Sequence, residues 1–273
     1  MAWLNKLHHP KEFILLFFRW GFLGVIMGLL GGLLGAAFHH ALHFVTHLRG
    51  EYTWLIFLLP LGGLFTVALY RVLKLQNNRG TNEIIESALS GQTLNPRIAL
   101  AIFLSTATTH LLGGSAGREG AALQLGGSTA SLLAQWMHLR EENRKVLVMA
   151  GMSAVFAGLF GTPLTAALFC MEFESVGTIF SPALLPCYLA AFTAAKISGL
   201  LGVHAEGLLL ETVTAVTLSN AWKFLLLAAL VSFVGILMCW VFHKAEHLAA
   251  HTLKNPWIRI VIGGVLVMSF WMK

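Results

Sequence analysis

A chain of 273 residues that is 57% hydrophobic and only 11% charged, with a mean hydropathy of +0.75, is too apolar to fold as a water-soluble domain. It reads as a polytopic, all-α membrane protein. The formal net charge of +6 comes from lysines and arginines lying between apolar segments, which fits anchoring at membrane edges and argues against a nucleic-acid surface.

Met1 to Glu12 is a polar lead-in with Lys6 and Lys11, consistent with a cytoplasmic start. The apolar segment that follows is too long for a cleavable signal. From Phe13 to about Leu48 a long helix is expected, with Gly21, Gly24, Gly28, Gly31, Gly32 and Gly35 at the three- and four-residue steps that let helices touch backbone to backbone. His39, His43 and His47 share one face near its end, but no acidic or cysteine ligand accompanies them. We read them as a polar helix end and expect no metal. Tyr52 to Tyr70 is a second span, closed by Arg71, Lys74 and Arg79. In Gly80-Thr81-Asn82-Glu83, Thr81 or Asn82 can cap a short helix running to about Leu89, whose first turn offers backbone donors.

Pro96 opens the next span, which runs to Leu112 and meets Gly113-Gly114-Ser115-Ala116-Gly117-Arg118-Glu119-Gly120. Four glycines, an arginine and a glutamate in eight residues are a break in a membrane helix. Irregular backbone survives in a bilayer only where protein buries it or it lines a wet cavity. A new helix begins near Glu119, so its unpaired N–H groups and positive dipole end would make an anion site without a buried lysine. Glu119 competes with an anion for those donors: ionised, it occupies the site; protonated, it leaves. The alternative is that Glu119 only caps its helix. An intramembrane carboxylate, however, points to function.

That helix is expected to reach about Met137. His138 to Lys145 reads as a solvated charged loop. Val146 to Phe160 is a further span, ended by Gly161-Thr162-Pro163, after which a helix resumes through Leu168 to Glu174. Ser181 to Leu201 is a helix with Lys196 placed to snorkel, and Gly202 to Asn220 is a less apolar link with Ser219 and Asn220 as caps. Helices follow from Ala221 to about Leu253 and from Ile258 to Trp271. Cys170, Cys187 and Cys239 sit in apolar runs without close spacing and read as packing residues, neither disulfide nor metal ligands. Phe242, His243, Ala245, His247 and His251 match Phe38, His39, Ala41, His43 and His47 at one fixed offset, at which Gly235 also falls on Gly31. Such matches point to duplicated repeats.

The strings Gly117-Arg118-Glu119-Gly120 after a Gly-rich run and Gly161-Thr162-Pro163-Leu164 through Cys170-Met171-Glu172 resemble the CLC family of chloride channels and proton-coupled anion exchangers. The fuller runs from Thr109 to Gly120 and from Phe160 to Leu164 are most similar to its fluoride-exporting branch. The resemblance implies an inverted-repeat architecture with broken and re-entrant helices, a homodimer, and a multi-pass place in the cell membrane. It gives Glu119 the gating, proton-carrying role, with an anion-binding set of Thr81, Asn82, Gly117, Arg118, Gly120 and Ala121. Within that set Arg118 tunes the potential or anchors the loop. Two departures point away from ordinary chloride exchange. Gly80-Thr81-Asn82 stands where the family has Gly-Ser-Gly-Ile-Pro, and Phe173 stands where the chloride exchangers keep a proton-relay glutamate. Glu172 is read as a carboxylate bonded to loop amides or as a transport residue.

The expected organisation is a lead-in over 1–12, a first membrane repeat over 13–203, a linker over 204–220 and the start of a second repeat over 221–273. The family's remaining Gly-rich stretch and site-closing tyrosine would lie beyond, so a fragment or truncated frame is expected. The expected function is fluoride/proton antiport through a halide site, in the lipid bilayer and without a cofactor. A voltage-gated chloride channel or chloride/proton exchanger is the alternative. A membrane-embedded enzyme using Glu119, His110 and Ser115 is disfavoured, since the chain holds no aspartate and no HExxH or GxSxG motif. A non-transporting partner subunit is the third reading.

Overall fold

The computed structural model describes residues 10–173, 179–204, 217 and 219–271, and every regular element among them is helical. The first nine residues, Glu174 and most of the expected linker lie outside the described residues. The chain divides into two compact units, Met1–Glu206 and Gly207–Lys273. Among the described residues, four helical stretches are long and apolar enough to cross a membrane: Ile14–Glu51, Thr53–Val72, Ser181–Leu200 and Ala221–Thr252.

Helix α1 runs from Pro10 to Glu51, starting earlier than composition suggests because proline is well suited to a first turn. Its glycines divide between two faces. Gly28 and Gly32 lie on α8 (Leu184–Leu200), where an added Cβ would sit 2.5 Å from Thr193 Cβ and 2.8 Å from Ile197 Cβ. Gly31 and Gly35 lie on α6 (Glu141–Phe160), against Ala154 and Gly158. The small-residue pattern thus holds α1 between two neighbours.

Helix α6 is the hub of the first unit. Nearly all of Val146–Leu159 is buried, among α1, α3 (Thr81–Ser90), α5 (Glu119–Trp136), α7 (Pro163–Met171) and α8. It begins at Glu141, within the stretch expected to be loop. The reason is local: Arg140 is extended at the N-cap, and Glu141 and Glu142 place negative charge at the positive end of the dipole. Arg144 then donates to the Gly91 and Leu139 carbonyls at 2.7 and 3.1 Å, tying the end of α3 to the start of α6. The Ser131 hydroxyl accepts the Leu94 N–H at 2.9 Å, and Gln135 donates to the Leu94 carbonyl at 2.9 Å. These bonds fix the link after α3 against α5.

Helix α2 covers Leu59–Val72 and α4 covers Arg97–Leu111, with Pro96 as its N-cap residue. The second unit holds α9 (Ala221–Thr252) and α10 (Pro256–Trp271). Asn220 is the N-cap residue of α9, but its side-chain oxygen accepts the Thr217 N–H at 2.8 Å instead of capping the helix. Cys170 and Cys187 are buried, whereas Cys239, on α9, is exposed and packs in no core.

Candidate functional site: the facing ends of α3 and α5

The expected break is present. α4 closes with the Gly114 N–H on the Thr109 carbonyl at 2.8 Å and the Gly113 N–H on the His110 carbonyl at 3.2 Å. That is a Schellman ending, and Gly113 takes its left-handed position at φ +76°. Arg49, at the end of α1, lays its guanidinium there, with Nε 2.5 Å from where a Cβ on Gly113 would be. A cation suits the negative end of α4. Residues 114–117 have no regular structure, and α5 starts at Glu119.

In α5 the Ala122 N–H pairs with the Arg118 carbonyl at 2.9 Å, so the Glu119, Gly120 and Ala121 N–H groups precede the helical ladder and have no intrahelical acceptor. Arg118 is the N-cap residue and makes no side-chain cap bond. Its guanidinium lies over the Phe160 ring, 5.6 Å from the centroid, an anchoring contact to the end of α6. Glu119 folds back over the break, Oε2 lying 2.7 Å from the Cβ position of Gly117. Gly117 and Glu119 are exposed on this chain, where the sequence reading places the glutamate deep in the membrane.

Helix α3 brings a second N-terminus to the same place. Its N-cap residue is Gly80, at φ 63° and ψ −137°, a conformation that suits glycine, so Thr81 is the first helical residue and neither Thr81 nor Asn82 is the cap. The turn before it is closed by Asn78, which accepts the Gly80 N–H at 2.9 Å and donates to Glu83 Oε2 at 2.8 Å. Glu83 also accepts the Arg79 N–H at 3.2 Å, while its own N–H goes to the Gly80 carbonyl at 3.2 Å. The Thr81 and Asn82 N–H groups have no intrahelical acceptor.

The two ends meet through Thr81. Its Oγ1 lies 2.8 Å from the Cβ position of Gly120 and 3.4 Å from Gln124 Nε2. Glycine at 120 therefore lets a hydroxyl from α3 reach the first turn of α5. The structure brings Thr81, Gly120 and Gln124 together, with Glu119 and Gly117 along one edge. Gln124 and Arg49 escape the sequence reading. Gln124 carries the one available signal, a long amide in a run of small and apolar residues after Gly120.

The other candidates fall elsewhere. His110 Nδ1 is bonded to the Thr106 carbonyl at 2.9 Å, within its own helix. Glu172 is exposed at the C-terminal end of α7, with no side-chain bond to loop amides among the described residues. His39 and His43 stack at 6.5 Å, and His40 Nε2 meets the Leu201 carbonyl at 2.8 Å. The histidine row does have an acidic neighbour, contrary to expectation: Glu51, one turn further on, lies 3.6 Å from His47. Among the described residues no group of three ligating side chains surrounds one point.

Helices that stop in mid-protein and present their N-termini to a common point define a membrane-embedded protein of the broken-helix type. The chain belongs to the voltage gated chloride channel family, whose model matches residues 62–272. It is 32% identical, over 272 residues, to the chloride/fluoride channel protein of Pseudomonas syringae pv. tomato, covering 98% of this chain and 60% of that one. Over 158 residues it is 29% identical to the voltage-gated ClC-type chloride channel ClcB of Shigella boydii, covering 57% of this chain and 37% of ClcB. The crystal structure of a CLC-type fluoride/proton antiporter superposes with TM-score 0.84 at 33% identity, covering 94% of this chain and 65% of that one. A slow cyanobacterial Cl−/H+ antiporter shares the fold, with TM-score 0.72 at 22% identity over 90% of this chain and 62% of that one. The chain thus spans under two thirds of the length of each of these relatives.

Proposed function

We propose that this chain forms the anion site of a CLC-type fluoride/proton antiporter, with Glu119 and the anion taking turns before the N-termini of α3 and α5. The observation that carries the reading is the meeting of those ends at Thr81 and Gly120, with the Glu119 carboxylate folded beside them. Taking a bare halide out of water costs on the order of tens of kcal/mol by a Born estimate. Oriented donors must replace the lost hydration, and the first-turn N–H groups with the Thr81 hydroxyl are such donors. Asn82, Gly117 and Ala121 contribute backbone at the same ends, and Arg118 anchors the break through Phe160.

Glu119 couples the fluxes: ionised, it holds the donors itself; protonated, it yields them to the anion and carries the proton. We also propose that α9 and α10 open a second repeat equivalent to α1 and α2. We further propose that the transporter works as a homodimer in the cell membrane. Fluoride is favoured over chloride by the loss of the relay glutamate at Phe173 and by likeness to the fluoride/proton antiporter. Likeness to ClcB supports the chloride alternative.

Glu119→Gln in the full chain, reconstituted in liposomes, is expected to abolish proton movement coupled to fluoride efflux. Proton uptake at the wild-type rate would defeat the assignment. Parallel fluoride and chloride efflux from the same vesicles separates the two substrates.

A further inference from the structure

We propose that Gln124 is a positioning residue of the anion site: its amide N–H donates to the Thr81 hydroxyl and leaves that hydroxyl's own proton for the anion. The inference rests on the reading of the α3 and α5 ends given above. Gln124 stands one turn along α5 from Gly120, is 6% exposed, and places Nε2 3.4 Å from Thr81 Oγ1. A hydroxyl carries one donor and two acceptor lone pairs. An anion only accepts, so Thr81 serves the site only if its proton is not spent on a neighbour. An amide N–H aimed at Oγ1 occupies a lone pair and, by polarising the hydroxyl, strengthens it as a donor.

The other end of the same amide carries the argument further. Gln124 Oε1 is buried and has no hydrogen-bond partner among the described residues. Buried amides normally use both ends, and an apolar side chain of this size would fill the space without an unsatisfied oxygen. The side chain is therefore held for its N–H. Turned the other way, the amide oxygen would take the Thr81 proton and leave only lone pairs facing the anion.

The test is a double-mutant cycle on fluoride affinity, read by titration calorimetry on the purified full chain in detergent. Gln124→Met and Thr81→Val are each expected to weaken fluoride binding roughly tenfold. Because Gln124 acts through Thr81, adding Gln124→Met to Thr81→Val should weaken it by no more than about twofold further. Gln124→His keeps a ring N–H and should stay within about threefold of the parent. Should Gln124→Met prove unfolded, Gln124→Leu takes its place in the cycle. Full additivity, or an unchanged affinity in the single Gln124 variant, overturns the positioning role while leaving the site intact. An unchanged affinity in Thr81→Val overturns the site and this role together.

Discussion

Helices α1 and α9 carry the same sequence pattern and make opposite use of it. In both, histidines four residues apart stack their rings, His39 on His43 at 6.5 Å and His247 on His251 at 6.4 Å, so the pattern dictates the same local geometry. Gly31 presses against Ala154 of α6, while its counterpart Gly235 has nothing within 4 Å of an added Cβ. Trp20, Leu23, Met27 and Phe38 of α1 are buried, and no residue of α9 is. Periodicity makes a helix and its stacked rings. A small-residue face acquires its stabilising role only from the helix that lies against it.

The largest expected effect tests that contrast directly. Gly31→Leu must displace the α6 backbone and should destabilise the detergent-solubilised chain by about 3 kcal/mol or more, whereas Gly235→Leu should stay within about 0.5 kcal/mol. Thermal melts of the two variants side by side decide it, and equal losses would break the comparison by showing the α9 face to be covered.

Next in size is Ser131→Ala, which strands the buried Leu94 N–H and should cost about 1–3 kcal/mol, against no measurable loss for Ser232→Ala on α9. Denaturant midpoints would register the difference. Arg144→Met removes the ties to Gly91 and Leu139 and is expected to lose about 1 kcal/mol, the group being partly exposed. Lys244→Met, which removes a contact over the Trp240 ring on α9, should lose no more than about half of that. The smallest change is Arg79→Ala at the surface pair with Glu86. A shift above about 1 kcal/mol in the same melts would mean that this pair holds α3 more firmly than its exposure allows.

The helices and the break were legible because hydropathy and glycine act locally. A run of apolar residues has to be helical in a bilayer, and Gly113 is required by the turn that ends α4. Boundaries fared worse where capping depends on geometry that composition does not carry. Thr81 looks like a cap, but Gly80 takes the unusual dihedral and pushes it into the first turn. Glu141 and Glu142 look like loop, but they belong to the helix whose dipole they complement. The candidate site was legible in its backbone and not in its side-chain partners. Gln124 meets Thr81, and Arg49 meets Gly113, across long separations in the chain that only the packing of α1, α3 and α5 brings together.

The seat of Arg49 on Gly113 has a mechanical side. Forty-two helical residues make a rod of roughly 60 Å, so one degree of tilt about its midpoint swings the tip by about half an ångström. Because that tip rests on the first glycine of the gap, a tilt of the rod would bear directly on the residues that lead into α5.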